Sequence, residues 1–551
     1  MQWAVAIRLR PGRKFVETDV TLYNRREVPG RYWFWATAAA AATDDLRFVY
    51  PMREAYPHAF WPVFSFPKEK GVDVGTYREV TNDLSLFARD SQRDFFGIYY
   101  EKADWGIAHV ADRYELPGKK TWTWGTDEAG QIWVEKLTDN DGQYVEFQAG
   151  RFETQMEHQF IAPHRVERFT EYWFPLDKLG GGFNKVTKDV ALRVEVVGDQ
   201  ARITANSSAQ FDDAELIIGD ASNKPFHSSR INLSPAAPFA MTMKLPAPMV
   251  IVVRLRSKEG RELVHFYTDS PPDGNPDFKP ATRPLPELAP ASAEQAYLTG
   301  VAADKKSDET AARAAYNEAL KLDQGFAPAH VALGLSFYRT GEYDRAAEHL
   351  EAALRRNRDA GDAHYYLALV RRAQDRIGDA IEQLMWCVRA GHREPVARYL
   401  LGEIDLASNS IDRALEQLSH AVRLDPRDLK ARTMLAMAKR LAGKLDDAQR
   451  HIDEVVREMP IDYYYKAVAL DHLGRKDEAR VLYERLARLN DERQMLSAEP
   501  SPPDGALRFL LAGWGLKALG RPREARAAFQ RVLQFDPANE HARTELSQWS
   551  R

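Results

Sequence analysis

The side chains best suited to chemistry lie between residues 94 and 175, where aromatic residues are interleaved with carboxylates, amides and histidines. In residues 121–124 and 144–148 the side-chain character alternates from one residue to the next. This alternation predicts β-strands with one face in the core and with Trp, Glu and Gln on the other. A sugar fits that second face, because its C–H faces are apolar and its hydroxyls both donate and accept hydrogen bonds. The same alternation is also typical of a sandwich sheet whose outer face is simply solvated.

Carboxylates are the natural agents if this region is catalytic. Glu146 is the best candidate for a general acid or base, because it lies on a predicted strand among aromatic and amide side chains. Its candidate partners are Asp139, Asp141 and His109. Two carboxyl groups roughly 5 to 9.5 Å apart support glycoside hydrolysis. A His and Glu pair would instead suit the ring opening and closing of an epimerase.

Each candidate partner also has a structural interpretation. Residues 139–142, Asp-Asn-Asp-Gly, form a good turn sequence, since Asp and Asn side chains bond to their own backbone. His109 is of a type that is often a hydrogen-bonded structural residue in a core. The sequence shows no metal-ligand spacing and no nucleotide-binding loop, so we expect neither a metal site nor a cofactor.

The candidate sugar-binding residues share hydrogen-bonding or flat aromatic side chains near Glu146. Lys120 is a candidate contact for an acidic sugar, although a lysine after a Pro-Gly turn is commonly just exposed. A long proline-rich loop is predicted between about residues 50 and 90, and ordered long loops are commonly functional. The candidates are Trp122, Trp124, Gln148, Gln155 and Lys120, with His58 and Trp61 on the predicted loop.

The overall charge excludes some classes of partner. The net charge is −4, from 76 basic and 80 acidic residues, which provides no long-range field to attract nucleic acid or an anionic membrane. No apolar run approaches the length of a membrane helix, and no signal peptide is recognisable, so the chain as given is predicted to be cytoplasmic. The first predicted strand begins with no lead-in, so we expect the sequence to be either a fragment whose natural start lies upstream of Met1 or a shortened paralogue. The single cysteine, Cys387, excludes an internal disulfide and a Cys-based zinc site.

At 551 residues, the chain is too long for one ordinary core. Residues 1–189 are predicted to be all-β, and residues 190–269 to form a small immunoglobulin-like β-sandwich. Residues 270–292 contain seven prolines and predict an extended linker. Residues 293–551 have helical periodicity.

An internal repeat runs through this helical part. Five alanines in related sequence contexts are spaced 34 residues apart. A sixth follows after 31 residues and a seventh after a further 46. They are Ala312, Ala346, Ala380, Ala414, Ala448, Ala479 and Ala525. The pattern resembles a tetratricopeptide array of about seven repeats. The resemblance implies a helical solenoid whose concave groove takes a protein or peptide partner, or one that packs against a neighbouring domain.

The front of the chain resembles a second known group. Residues 117–125 (PGKKTWTWG), 137–146 (LTDNDGQYVE) and 171–175 (EYWFP) are similar to motifs of an uncharacterised bacterial family, in which a galactose-mutarotase-like β-supersandwich precedes tetratricopeptide repeats. The resemblance implies a large antiparallel sheet with a carbohydrate-binding cleft, and no particular reaction. Residues 153–158 keep only Gln155 of the family's usual stretch. Family domains of this kind also have on the order of a hundred residues of sheet ahead of the strand that begins here, so part of the cleft is expected to be missing.

Three functions are consistent with these observations. The first is a carbohydrate-active enzyme of the glycoside-hydrolase type, with Glu146 as its central residue. The second is a noncatalytic glycan-binding module whose repeats recruit a protein partner. The third is a protein-interaction scaffold.

Overall fold

A computed structural model describes residues 1–58, 62–269, 292–458, 467–468, 470–471, 474–488, 502–537 and 539–548. Trp61 and residues 270–291 of the predicted linker lie outside the described residues. The order of the chain is β followed by α, as predicted. None of the helices among the described residues is long and apolar enough to cross a membrane.

The first domain is built on two six-stranded antiparallel sheets. The first sheet has the order β1-β2-β16-β12-β11-β5 and the second sheet the order β4-β14-β13-β10-β6-β7. The strands are β1 (Gln2–Leu9), β2 (Val16–Tyr23), β3 (Gly30–Tyr32), β4 (Trp35–Ala41), β5 (Leu46–Val49), β6 (Glu54–Pro57), β7 (Phe64–Ser65), β8 (Lys68–Glu69), β9 (Val72–Asp73), β10 (Leu84–Ala88), β11 (Phe95–Tyr100), β12 (Trp105–Ala111), β13 (Gly118–Thr123), β14 (Tyr144–Gly150), β15 (Gln159–Ile161) and β16 (Val166–Asp177).

The core of this domain lies between the two sheets. Phe96 and Ile98 of the first sheet pack in one buried cluster with Leu86, Val145 and Phe147 of the second. Successive residues of a strand point to opposite faces. Because Val145 and Phe147 point into this core, Glu146 and Gln148 point to the outer face of the second sheet.

Two local predictions for this domain were wrong. The region predicted to be all-β contains a helix, α1 (Glu128–Thr138), which begins because the Asp127 carboxylate accepts a hydrogen bond from the Gly130 amide at 2.8 Å. The predicted long loop between residues 50 and 90 contains the short strands β6 to β9, a turn of 3-10 helix (Tyr77–Glu79) and β10. Closely spaced prolines shorten these strands without preventing them from pairing.

The second domain is a small sandwich of two four-stranded sheets, with the orders β17-β18-β19-β22 and β21-β20-β23-β24. Its strands are β17 (Lys185–Val186), β18 (Val190–Val197), β19 (Gln200–Ser207), β20 (Phe211–Asp220), β21 (Pro225–Leu233), β22 (Phe239–Lys244), β23 (Ile251–Arg256) and β24 (Glu262–Tyr267). Strand β17 precedes the predicted boundary at residue 190. A buried cluster that includes Tyr99, Phe174 and Phe183 joins this domain to the outer face of the first sheet.

The remaining described chain is helical. The helices are α2 (Ala293–Lys305), α3 (Glu309–Leu322), α4 (Ala327–Arg339), α5 (Tyr343–Arg356), α6 (Gly361–Ala373), α7 (Ile377–Ala390), α8 (Glu394–Ala407), α9 (Ile411–Leu424), α10 (Leu429–Leu441), α11 (Leu445–Glu458), α12 (Lys476–Arg488), α13 (Pro502–Ala518), α14 (Pro522–Phe535) and α15 (Glu540–Ser547). Consecutive helices pack as hairpins, such as α2 with α3 and α8 with α9. The small residues of the repeat lie where the two helices of a hairpin cross.

The repeats also pack against the first domain. Val28, which follows β2, belongs to the same buried cluster as the cores of several hairpins. Tyr23, at the end of β2, packs against Leu429 at the start of α10. The sheet domain and the helical solenoid are thus in direct contact, as one of the two interpretations of the repeats predicted.

Gly402 gives a test of the helix crossing. A Cβ atom at this position of α8 would lie 2.5 Å from Cγ of Leu418, whereas a Cβ at Gly378 of α7 would meet no atom within 4 Å. Gly402→Ala is therefore expected to destabilise the repeats by about 1 to 3 kcal/mol. Gly378→Ala is expected to stabilise them by up to about 1 kcal/mol, because alanine favours a helix. Thermal melting followed by helical circular dichroism measures both changes, and equal effects of the two variants would contradict this packing.

Candidate functional site

The predicted site residues meet on the outer face of the second sheet. In the pairing of β13 with β14, Lys120 lies opposite Gln148 and Trp122 lies opposite Glu146. Residues directly opposite each other in antiparallel strands share a face. Four of the predicted residues are therefore neighbours on one surface.

A chain of hydrogen bonds links these polar side chains, and we call Lys120, Gln155, Gln148 and Glu146 the polar row. Lys120 Nζ donates to Gln155 Oε1 at 2.8 Å, and Gln155 Nε2 donates to Gln148 Oε1 at 2.7 Å. Gln148 Nε2 donates in turn to Glu146 Oε2 at 2.5 Å. Each amide is thereby fixed in one orientation, and the row ends on a carboxylate, a group that can accept several hydrogen bonds.

Aromatic rings flank the polar row. The rings of Trp122 and Trp124 meet edge to face, with centroids 5.2 Å apart. Trp133 of α1 stacks on Trp124 at 4.6 Å, so the helix supports the aromatic surface. Lys120 Nζ lies 5.3 Å from the centroids of both Trp122 and Phe87.

Burial changes the acidity of the lysine in the row. Only 5% of Lys120 is exposed. Burial lowers its pKa to about 8, and the nearby Glu146 carboxylate opposes this change by favouring the charged form. At neutral pH the ammonium group is mostly protonated and donates to Gln155.

Three buried polar atoms border this face without a hydrogen-bond partner among the described residues: Trp35 Nε1, Ser85 Oγ and Trp124 Nε1. Ser85 lies opposite Trp122 in the pairing of β10 with β13. Trp35 packs over Gly150, where a Cβ atom would lie 2.2 Å from the indole ring. Unpaired buried polar atoms are uncommon in proteins, and a bound water, an ion, strain or a catalytic role is the usual explanation.

A second carboxylate lies on the segment that carries Gln155. Glu153 Oε1 accepts a hydrogen bond from the Asp90 amide at 2.6 Å. Burial raises the pKa of this carboxyl group above its ordinary value, against the effect of the Asp90 amide. Sequence reasoning missed Glu153, although it lies only two residues before Gln155.

His109 lies away from the polar row, on β12 of the first sheet. Only 2% of its surface is exposed, and its Nε2 lies 2.9 Å from Glu171 Oε2. Its ring packs between Phe96 and Trp173, at centroid distances of 4.7 and 4.6 Å. Burial lowers the pKa of His109. His109 is therefore a buried, hydrogen-bonded residue of the core, which was the second of its two predicted roles.

Asp139 and Asp141 lie in the exposed turn between α1 and β14. Asp139 caps α1 in the left-handed conformation, with φ of 49°, and the Asp141 amide donates to the Thr138 carbonyl at 2.8 Å. Both residues serve the turn that their sequence predicted. His58 is exposed, and its ring lies 5.9 Å from that of Phe87, on the margin of the site.

The buried lysine allows a test of the site's electrostatics. Between pH 8 and its ordinary value of 10.5, Lys120 loses its proton in the folded protein but keeps it in the unfolded chain. The contribution of Lys120 to the free energy of unfolding therefore increases as the pH rises across that window. The wild type is expected to gain melting temperature relative to Lys120→Met as the pH rises from 8 to 10. Lys258→Met, at an exposed lysine of the second domain, should show no such trend, and a similar trend in both variants would contradict the assignment.

Known proteins match each part of the chain separately. Residues 1–176 match a domain of unknown function (DUF5107), residues 186–266 match the second domain of YphG-like proteins, and residues 331–385 and 399–460 match the tetratricopeptide repeat.

Several solved structures are similar over part or most of the chain. A TPR-domain containing protein from Parabacteroides distasonis is 16% identical, with a TM-score of 0.30, over 94% of this chain and 70% of that one. A tetratricopeptide repeat protein from Parabacteroides merdae is 16% identical, with a TM-score of 0.36, over 47% of this chain and 99% of its own. YrrB, described as a TPR protein with an unusual peptide-binding site, is 18% identical, with a TM-score of 0.24, over 42% of this chain and 96% of its own. By the domain matches alone, the chain is similar to a DUF5107 domain, followed by a YphG-like second domain and by tetratricopeptide repeats.

Proposed function

We propose that the outer face of the second sheet binds a carbohydrate. The observation that carries this proposal is the polar row, a fixed series of donors and acceptors that ends on Glu146 beside Trp122 and Trp124. Sugar sites combine a flat aromatic surface with a few placed polar groups. The resemblance of residues 117–125 to a galactose-mutarotase-like family supports the same substrate class.

Each member of the site has a distinct role in this proposal. The Trp122 ring stacks on an apolar sugar face, and the Glu146 carboxylate accepts from a hydroxyl. Gln148 fixes Glu146 and is itself fixed by Gln155. Lys120 is almost fully buried, so it orients Gln155 instead of reaching far into solvent.

Glycoside hydrolysis is the second candidate function, and Glu153 is the specific observation in its favour. A carboxyl group whose burial raises its pKa is suited to protonate a leaving group, while an ionised carboxylate serves as base or nucleophile. Glu153 would then be the general acid. Its partner would be Glu146, which Gln148 joins to Gln155, two residues after Glu153. In this scheme Asp139 and Asp141 have no catalytic role, because they form an exposed turn.

The repeats give the chain a protein-interaction region in addition to the sheet. Tetratricopeptide solenoids present a concave surface to partners. The proposed overall role is therefore glycan recognition by the first domain, coupled to protein contacts made by the repeats.

Binding is tested with the full chain against a panel of glycans. Trp122→Ala removes the stacking surface and is expected to weaken binding about five-fold, since aromatic contacts of this size contribute about 1 kcal/mol. Trp105→Ala is the matched control, because Trp105 is an exposed tryptophan on the first sheet. Retention of wild-type affinity in Trp122→Ala, or equal losses in both variants, would contradict the site.

Turnover is tested separately on any glycan that binds. If Glu146 is catalytic, Glu146→Gln is expected to abolish release of new reducing ends while leaving binding within a few-fold of the wild type. Asp139→Asn combined with Asp141→Asn is the control and should keep full activity. If the wild type releases no new reducing ends from a glycan that it binds, hydrolysis is rejected and the proposal of glycan binding stands.

A further inference from the structure

The loop that joins β2 to β3 is held in a fixed shape, and we call this loop together with the first two residues of β3 (residues 24–31) the arm. Asn24 is fully buried. Its Nδ2 donates to the Val28 carbonyl at 2.8 Å and to the Ile161 carbonyl at 3.0 Å, while its Oδ1 accepts from the Arg26 amide at 3.2 Å. A Cβ atom at Gly30, the first residue of β3, would lie only 2.9 Å from Asn24 Oδ1, so this close approach favours glycine.

The arm presents an acidic residue and an apolar residue to the repeats. The Glu27 carboxylate forms an ion pair with Lys430 Nζ on α10. The Tyr365 hydroxyl on α6 donates to the Glu27 carbonyl at 2.6 Å. Val28 is 7% exposed and packs among the buried residues of the repeat hairpins.

The rest of the arm is bound by the first two hairpins. Arg339 on α4 donates to the Pro29 carbonyl at 3.4 Å, and it also pairs with Asp304 on α2 at 3.2 Å. Asp304 forms a further ion pair with Arg31 of the arm. Main-chain and side-chain groups of the arm are thus both recognised.

The four helices that contact Glu27, Pro29 and Arg31 are the first helices of their hairpins. Arg26 of the arm also pairs with Asp536, at the end of α14, at 3.7 Å. Helices α4 and α6 contact each other, as do α8 and α10, so first helices of successive hairpins lie side by side. In a tetratricopeptide solenoid the surface made by successive repeats is the one used for binding partners. The arm therefore lies where a peptide ligand would lie.

The contacts around the arm are mainly charged. His164 Nδ1 lies 2.8 Å from Asp428 Oδ2, and Arg165 pairs with Asp425 at 2.9 Å. Interfaces between domains that separate are typically more polar than permanent ones. Val28 belongs to the cluster of the repeats and not to the cluster between the sheets, so the first domain keeps its own core when the arm leaves.

We propose that the arm is an internal ligand of the repeat groove and blocks it. The partner that the groove would accept carries the same chemistry, a carboxylate followed by a small aliphatic residue and an exposed carbonyl. Glu27, Val28 and Pro29 supply these features within the chain. The partner must displace the arm before it binds.

The proposal is tested with the full chain and a fluorescent peptide of residues 22–32, by fluorescence anisotropy. Glu27→Lys in the protein places a cation against Lys430 and should release the arm. This variant is expected to bind the peptide at least ten-fold more tightly than the wild type, whose groove is filled. Glu195→Lys is the control for the change of charge, because Glu195 lies on the second domain, and it should bind as weakly as the wild type.

Two further variants separate release of the arm from general damage. Val28→Asp should open the groove independently of the ion pair, and small-angle scattering should show a larger radius of gyration for it than for the wild type. Lys430→Glu combined with Glu27→Lys restores an ion pair of opposite polarity and should return the radius of gyration to the wild-type value. Equal peptide binding by the wild type, Glu27→Lys and Val28→Asp would overturn the proposal and identify the arm as a permanent joint.

Discussion

The register of β13 against β14 decides which side chains reach the outer face of the second sheet. Lys120 and Trp122 face outwards with Gln148 and Glu146 because these residues lie directly opposite each other. A slip of one residue would turn one strand over and separate the pairs. The buried Phe147 prevents such a slip, since it would then leave the core. The hydrophobic core thus fixes the polar chemistry.

A second constraint is the burial of charge where the domains meet. Burial alone would raise the pKa of Glu27, but Lys430 keeps it well below its ordinary value. Burial alone would lower the pKa of His164, but the adjoining Asp428 carboxylate raises it above its ordinary value. Each charge is retained only because its partner comes from the other part of the chain. The joint is therefore specific in its pairing without being mainly apolar.

Patterns with a short period were predictable from the sequence. Alternation along residues 144–148 predicted the outward position of Glu146 and Gln148, and the spacing of Ala346 and Ala380 predicted helix crossings. The helix α1 was missed, although Asp127 is a good N-terminal cap. His109 was expected to be a partner of Glu146, but the two residues lie on different sheets. Alternation along a strand does not reveal which sheet the strand joins. The contact of His164 with Asp428 spans 264 residues and has no local signal at all.

The arm and the groove belong to one polypeptide, and this has a consequence for how the repeats respond to their surroundings. The local concentration of the arm is set by the geometry of the chain and not by the amount of protein present. Dilution therefore does not empty the groove, and higher expression does not fill it further. An external peptide competes with the arm, whose local concentration is constant. The peptide concentration needed to fill the groove therefore does not depend on the amount of protein.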